Sequence, residues 1–143
     1  MPAAADQAVC IRHWDWSETS QTVSLITRDH GLVRGLAKGA RREKSSFSGG
    51  IDLLTRGQAM FIVKPTADLA AITAWDLQET FPAIRRSLPT FYTAMYIADL
   101  TQHALHERDP HPALFDQLLA ALRGLGTPDQ SAHALLRDRK SVV

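Results

Sequence analysis

The chain has 143 residues, enough for one ordinary domain or for one small domain and part of a second, and its 45% apolar and 22% charged composition is that of an ordinary globular protein. The longest apolar run is a few residues, too short for a bilayer-spanning helix, and Asp6 interrupts the apolar core that an export signal needs. The single cysteine, Cys10, excludes an internal disulfide and a thiolate-rich zinc site within this chain, and a reducing, cytoplasmic setting is expected.

The first half reads as strands. "AVCIRHW" (residues 8–14) is apolar or β-branched with partial alternation, and "SQTVSLIT" (20–27) alternates Val23 and Leu25 with polar neighbours. "RDHG" joins it to "LVRGLAK" (32–38), with Gly31 suited to a left-handed position in a short hairpin. "QAMFIVK" (58–64) and "LAAITAWDLQ" (69–78) follow around a "PTAD" turn. Five short strands with one long basic segment between the third and fourth predict a small closed or partly open β-barrel, followed by helices in an α+β chain.

The second half changes period. From Pro89, the residues Phe91, Tyr92, Met95, Tyr96, Ala98 and Leu105 recur at helical spacing. A second helix is expected from Pro112 to about Leu125, with proline in its first turn and Gly124 and Gly126 as stop signals. "TPDQSAHALL" reads as the start of a third helix capped by Thr127. The expected division is a barrel over 1–80, a partial helical domain over 81–137, and a non-native tail over 138–143. For that tail, "DRKSVV" resembles the translation of a sequencing adapter.

Net charge is +1 but unevenly placed. Residues 1–64 carry nine Lys/Arg against six Asp/Glu, and residues 65–143 carry seven against nine. The basic excess sits in 34–44, where Arg34, Lys38, Arg41, Arg42 and Lys44 face only Glu43. Gly31, Gly35 and Gly39 lack the order and the strand-to-helix context of a nucleotide-binding loop. The segment instead suits phosphate contact by charge, with glycines and serines that let it follow a strand, or it is a solvated linker. Trp14, Trp16, Phe47 and Phe61 are the aromatic candidates for base stacking, although the barrel core is the expected place for at least one of Trp14 and Trp16.

Other constellations read as structure. Asp99, His103 and His106 share a helix face, but without cysteine nearby they are expected as exposed helix histidines and no metal is called for. His13, Asp15 and Ser17 alternate on a strand, where parallel side chains form no catalytic relay. Tyr92, Met95 and Tyr96 read as a helix packing face, with an apolar groove for a partner peptide as the alternative.

One resemblance gathers these features. "WSETS" (Trp16 to Ser20), His30-Gly31, "AKGAR" (Ala37 to Arg41) and Lys44-Ser45 resemble the amino-terminal domain of the bacterial recombination mediator RecO family. "YIADL" (Tyr96 to Leu100) and "FDQLLAALRGL" resemble its later helices. The resemblance implies an oligonucleotide-binding (OB) fold of five strands followed by a helical domain, shorter here than the family's usual length. That shortening leaves open a zinc element that some members carry. It further implies a non-catalytic, cofactor-free, nucleoid-associated protein of DNA repair and recombination (the RecF pathway). Such a protein binds single- and double-stranded DNA, anneals strands, and works with RecR to load RecA onto DNA coated by single-strand-binding protein. Lys38, Arg41 and Arg42 then map to the DNA-contacting element, with Arg34 and Lys44 beside it. The competing expectation is an interaction module that binds RecR or the tail of the single-strand-binding protein and touches DNA weakly.

Overall fold

The computed structural model describes residues 3–15, 17–40, 47, 50–105 and 109–125. Five strands, β1 (Ala4–Asp15), β2 (Gln21–Thr27), β3 (Gly31–Ala37), β4 (Arg56–Ile62) and β5 (Ala70–Glu79), form a closed barrel in the order β1-β2-β3-β5-β4. All pairings are antiparallel except the short parallel one between β3 and β5. This is the five-stranded OB topology. The expected strand centres are all present.

β1 is longer than its sequence suggests. "AADQ" has little strand propensity, yet Ala4 to Val9 pair with Phe61 to Arg56 of β4, while Ala8 to Asp15 pair with β2. Closure of the barrel therefore requires this weak segment to be extended. The ladder passes from Cys10–Leu25 to Arg12–Ser24, which leaves Ile11 as a bulge. The bulge reverses the inward and outward phase of the remainder of β1. Ala8 and Cys10 point into the barrel, whereas Ile11 and Arg12, though adjacent, both face the helices.

Strand alternation separates two apolar clusters. Ala8, Cys10, Val23, Leu25, Val33, Phe61, Ile72 and Trp75 fill the barrel. Val9, Ile11, Ile26 and Leu32 point outward and pack under the helical half, against Leu54, Ile84, Ala94, Ala98, Phe115, Leu118 and Leu122. One end of β1–β3 is thus buried on both faces, which is why β2 is apolar beyond strict alternation.

A short 3-10 helix (Pro82–Arg86), not foreseen from the sequence, leads into α1 (Leu88–His103), and α2 (Pro112–Leu125) follows. α2 buries Phe115, Leu118, Leu119 and Leu122, as its spacing predicts. α1 reverses the expectation. It buries the small residues Ala94, Ala98 and Thr101, and leaves Leu88, Tyr92, Met95, Tyr96 and Leu100 exposed. Apolar residues surround this helix, so periodicity could not choose a face, and small side chains allow the closer approach to the neighbouring elements. The third helix expected from Thr127 and the suspected tail lie outside the described residues.

Polar pairs join the two halves. Arg28 at the β2–β3 turn holds Asp116 of α2 through two contacts of 3.2 Å. Glu79 at the end of β5 accepts from Arg56 of β4 at 3.0 Å and from Arg123 of α2 at 2.7 and 2.9 Å. Gly31, with φ +69°, closes the hairpin, and a Cβ there would run into the Asp109 backbone just before α2.

Candidate nucleic-acid interface

The basic segment leaves the barrel at the end of β3 and returns before β4. Its departure is fixed by Ser20, whose Oγ accepts the Gly39 N–H at 3.0 Å, while the positive φ of Gly39 turns the chain. Within "AKGA", Ala37, Gly39 and Ala40 are buried and Lys38 is exposed. The return is fixed by Gln21, 1% exposed, whose amide accepts the Ile51 N–H at 2.9 Å and donates to the Ile51 carbonyl at 3.3 Å. Two consecutive side chains at the start of β2 therefore fasten both ends of this connection. In the sequence, Ser20 stands out only through the family resemblance, and Gln21 does not stand out at all. A glutamine opening an otherwise apolar strand was the signal available.

Of the basic candidates, Arg34 is exposed on the outer face of β3 and Lys38 at its end. Arg41, Arg42 and Lys44 lie outside the described residues, as does Trp16. Phe47 and Phe61 correct one expectation: at 4% and 0% exposed they belong to the barrel cluster, so their rings are not open stacking platforms. Trp14 is 49% exposed on β1 and remains available. Among the described residues, Trp75 is the tryptophan in the core, beside Gly57, where a Cβ would collide with the indole.

Strand register determines what accompanies Trp14. Arg12, Ser24 and Arg34 form one cross-strand row on the outer face of β1–β3, and Trp14, Thr22 and Leu36 form the next. Among the described residues, the helical half packs on the outer face at Val9, Ile11, Ile26 and Leu32. Arg12 is held by Asp99 of α1 at 3.2 Å, with both side chains about half exposed.

No group of three or more metal-ligating side chains is assembled among the described residues. His103 is exposed and its Nδ1 is 2.7 Å from the Asp99 carbonyl oxygen, while His106 lies outside the described residues. Ser17 Oγ accepts the Ser20 and Thr19 backbone N–H groups and acts as a turn cap. Burial pushes the Cys10 thiol up to about 12, so it offers no thiolate nucleophile. No described helix is long and apolar enough to cross a membrane.

Missed by the sequence reading is Asp6. Its buried carboxylate accepts the Asp29 backbone N–H at 2.7 Å and lies 2.8 Å from His30 Nδ1, organising the β2–β3 turn from the start of β1.

Comparison with known proteins agrees with this architecture. Residues 1–81 match the family profile "Recombination protein O N terminal" and residues 85–138 match "Recombination protein O C terminal". A protein of Rhodopirellula baltica named DNA repair protein RecO is 38% identical over 129 residues, which is 90% of this chain and 48% of that relative. A Salinibacter ruber protein of the same name is 36% identical over 119 residues, 83% of this chain and 46% of the relative. The chain spans about half the length of the curated relatives it matches. A barrel with this strand order, a pinned "AKGA" element and a profile match over more than half the sequence agree, and the chain belongs to the RecO (recombination protein O) family.

Proposed function

We propose that this chain is a non-catalytic DNA-binding module of repair and homologous recombination. The observation that carries the reading is the fastening of the basic segment at both ends, by Ser20 to Gly39 and by Gln21 to Ile51. Anchors of this kind fix the two ends of a charged connection on an OB barrel and reduce the ordering cost of binding. Arg34, Lys38, Arg41, Arg42 and Lys44 meet backbone phosphates, and counterion release drives association whatever the base sequence. Two strands held on one basic surface repel less, and base pairing then supplies the free energy of annealing. Partnership with RecR, and recombinase loading on DNA coated by single-strand-binding protein, belong to the same reading, as does the absence of any chemical step. The family assignment and the relatives' name support it.

If about four phosphates are neutralised, log affinity should fall with log salt at a slope of roughly −3 to −4. Arg41→Glu with Arg42→Glu should weaken binding to all sequences alike and flatten that slope, read by polarisation of a labelled oligonucleotide. A titration curve unchanged by the double substitution removes the DNA role of this segment.

A second reading is favoured by the exposed apolar side of α1, where Leu88, Tyr92, Tyr96 and Leu100 stand in solvent. Here the chain serves chiefly as an interaction module for RecR or for the acidic tail of the single-strand-binding protein, with weak DNA contact. Salt-dependent binding of naked oligonucleotide, without any partner, separates the two.

A further inference from the structure

The phosphate-binding reading leaves unexplained why a tryptophan stands in solvent next to an arginine, over a cleft between the barrel and α1. The cleft has two parts with lining residues in common. One, about 300 Å³, is lined by Ile11, Arg12, Met95, Asp99 and Gln102. The other, about 180 Å³, shares Ile11, Arg12 and Met95 and adds Trp14, His13 and Leu53. The lining mixes apolar Ile11, Met95 and Leu53 with polar Arg12, Asp99 and Gln102, and the larger part reaches the small end of the usual range for ligand sites.

The bulge at Ile11 creates this arrangement. Without the extra residue, Arg12 and Trp14 would share the inward phase of Ala8 and Cys10. With it, both lie on the outer face, in the rows that run through β2 to Arg34 and Leu36 of β3. Two strand spacings separate Arg12 from Arg34, about 10 Å between backbones. Lys38 at the end of β3, Arg34 on β3, and Arg12 with Trp14 at the cleft are thus spread across the outer side of three neighbouring strands.

Resting on the DNA-binding reading, we infer that the β1–α1 cleft is a subsite for one unstacked nucleotide of a single strand. The Trp14 indole stacks on the base, with the Met95 thioether and Leu53 against its apolar surface. Arg12 takes the adjoining phosphate. The Arg12–Asp99 pair is half exposed and contributes little by itself, so exchange of one carboxylate partner for a phosphate is inexpensive. Gln102 adds a further feature: its buried Oε1 has no hydrogen-bond partner among the described residues. Rotation about its soft terminal torsion offers the amide to a base edge. Charge complementarity selects the occupant, because a polyanion carrying aromatic faces satisfies both these cationic side chains and the indole. A duplex, whose bases are stacked and paired, leaves the subsite empty.

The test uses the 143-residue chain with labelled oligo-dT and a duplex of equal length. Trp14→Ala should weaken oligo-dT binding about tenfold, with an unchanged salt slope and unchanged duplex affinity, whereas Trp14→Phe retains most of the wild-type affinity. Arg12→Gln should reduce the single-strand salt slope by about one. Wild-type affinity for oligo-dT in Trp14→Ala, while the Arg41/Arg42 double variant loses binding, overturns the subsite and leaves the DNA-binding reading standing. An equal loss on duplex and single strand also overturns it. No oligonucleotide binding by the wild-type chain removes both.

Discussion

The side-chain amide of Gln21 is paired with both peptide groups of Ile51, 30 residues away, in a buried two-way hydrogen bond that fixes where the basic segment re-enters the barrel. Replacing Gln21 by Leu leaves a buried N–H and a buried carbonyl without partners. The expected destabilisation is about 2–3 kcal/mol, measured by urea unfolding. On the DNA-binding reading, oligonucleotide affinity should also fall, because the return of the segment is no longer fixed. A variant as stable as wild type would show that this pair anchors nothing.

Arg85 performs a comparable task on the other side. Its guanidinium donates to the carbonyls of Leu53 and Leu54 at 2.6 and 2.9 Å and to that of Thr80 at 2.9 Å. Two non-glycine residues with positive φ, Leu54 at 54° and Phe81 at 50°, belong to or directly follow these segments. Such conformations persist only where surroundings over-determine them. Arg85→Ala should cost about 2 kcal/mol in thermal or chemical unfolding, and Arg85→Lys should recover only part, since an ammonium lacks the planar fork.

Gly31 offers a sharper steric test. Its φ of +69° disfavours any side chain, and a Cβ would meet the Asp109 backbone, which cannot rotate away. Gly31→Ala should therefore lower stability by about 2 kcal/mol or more. Gly124, in α2 with open space around its Cβ position among the described residues, is the control: Gly124→Ala should be neutral or slightly stabilising.

Glu79 links pH to the junction of barrel and helices. The Arg123 hydrogen bond, followed by that of Arg56, holds its carboxyl below the usual value of 4.5 against the opposing effect of burial. A carboxyl whose folded pKa is depressed contributes stability above its unfolded pKa and loses it as pH falls through the folded value. Glu79→Gln should cost about 1 kcal/mol at neutral pH, and the difference from wild type should close as pH drops below about 4.5. Melting curves at pH 7 and pH 3.5 check both parts, and a gap that widens in acid contradicts the assignment.

Much of this protein was legible without coordinates. The strand centres, the hairpin at Gly31 and the limits of α2 follow from side-chain period and turn chemistry, which are local properties. The basic run and its family resemblance were equally plain in the residues. Tertiary structure alone decided the rest. Pairing with β4 forced Ala4 to Gln7 into a strand, and core packing took Phe47 in while leaving Trp14 out. The bulge at Ile11 turned Arg12 and Trp14 outward, and close packing placed the small side of α1 inward. These outcomes depend on which distant surfaces meet, and period along one chain carries no information about that.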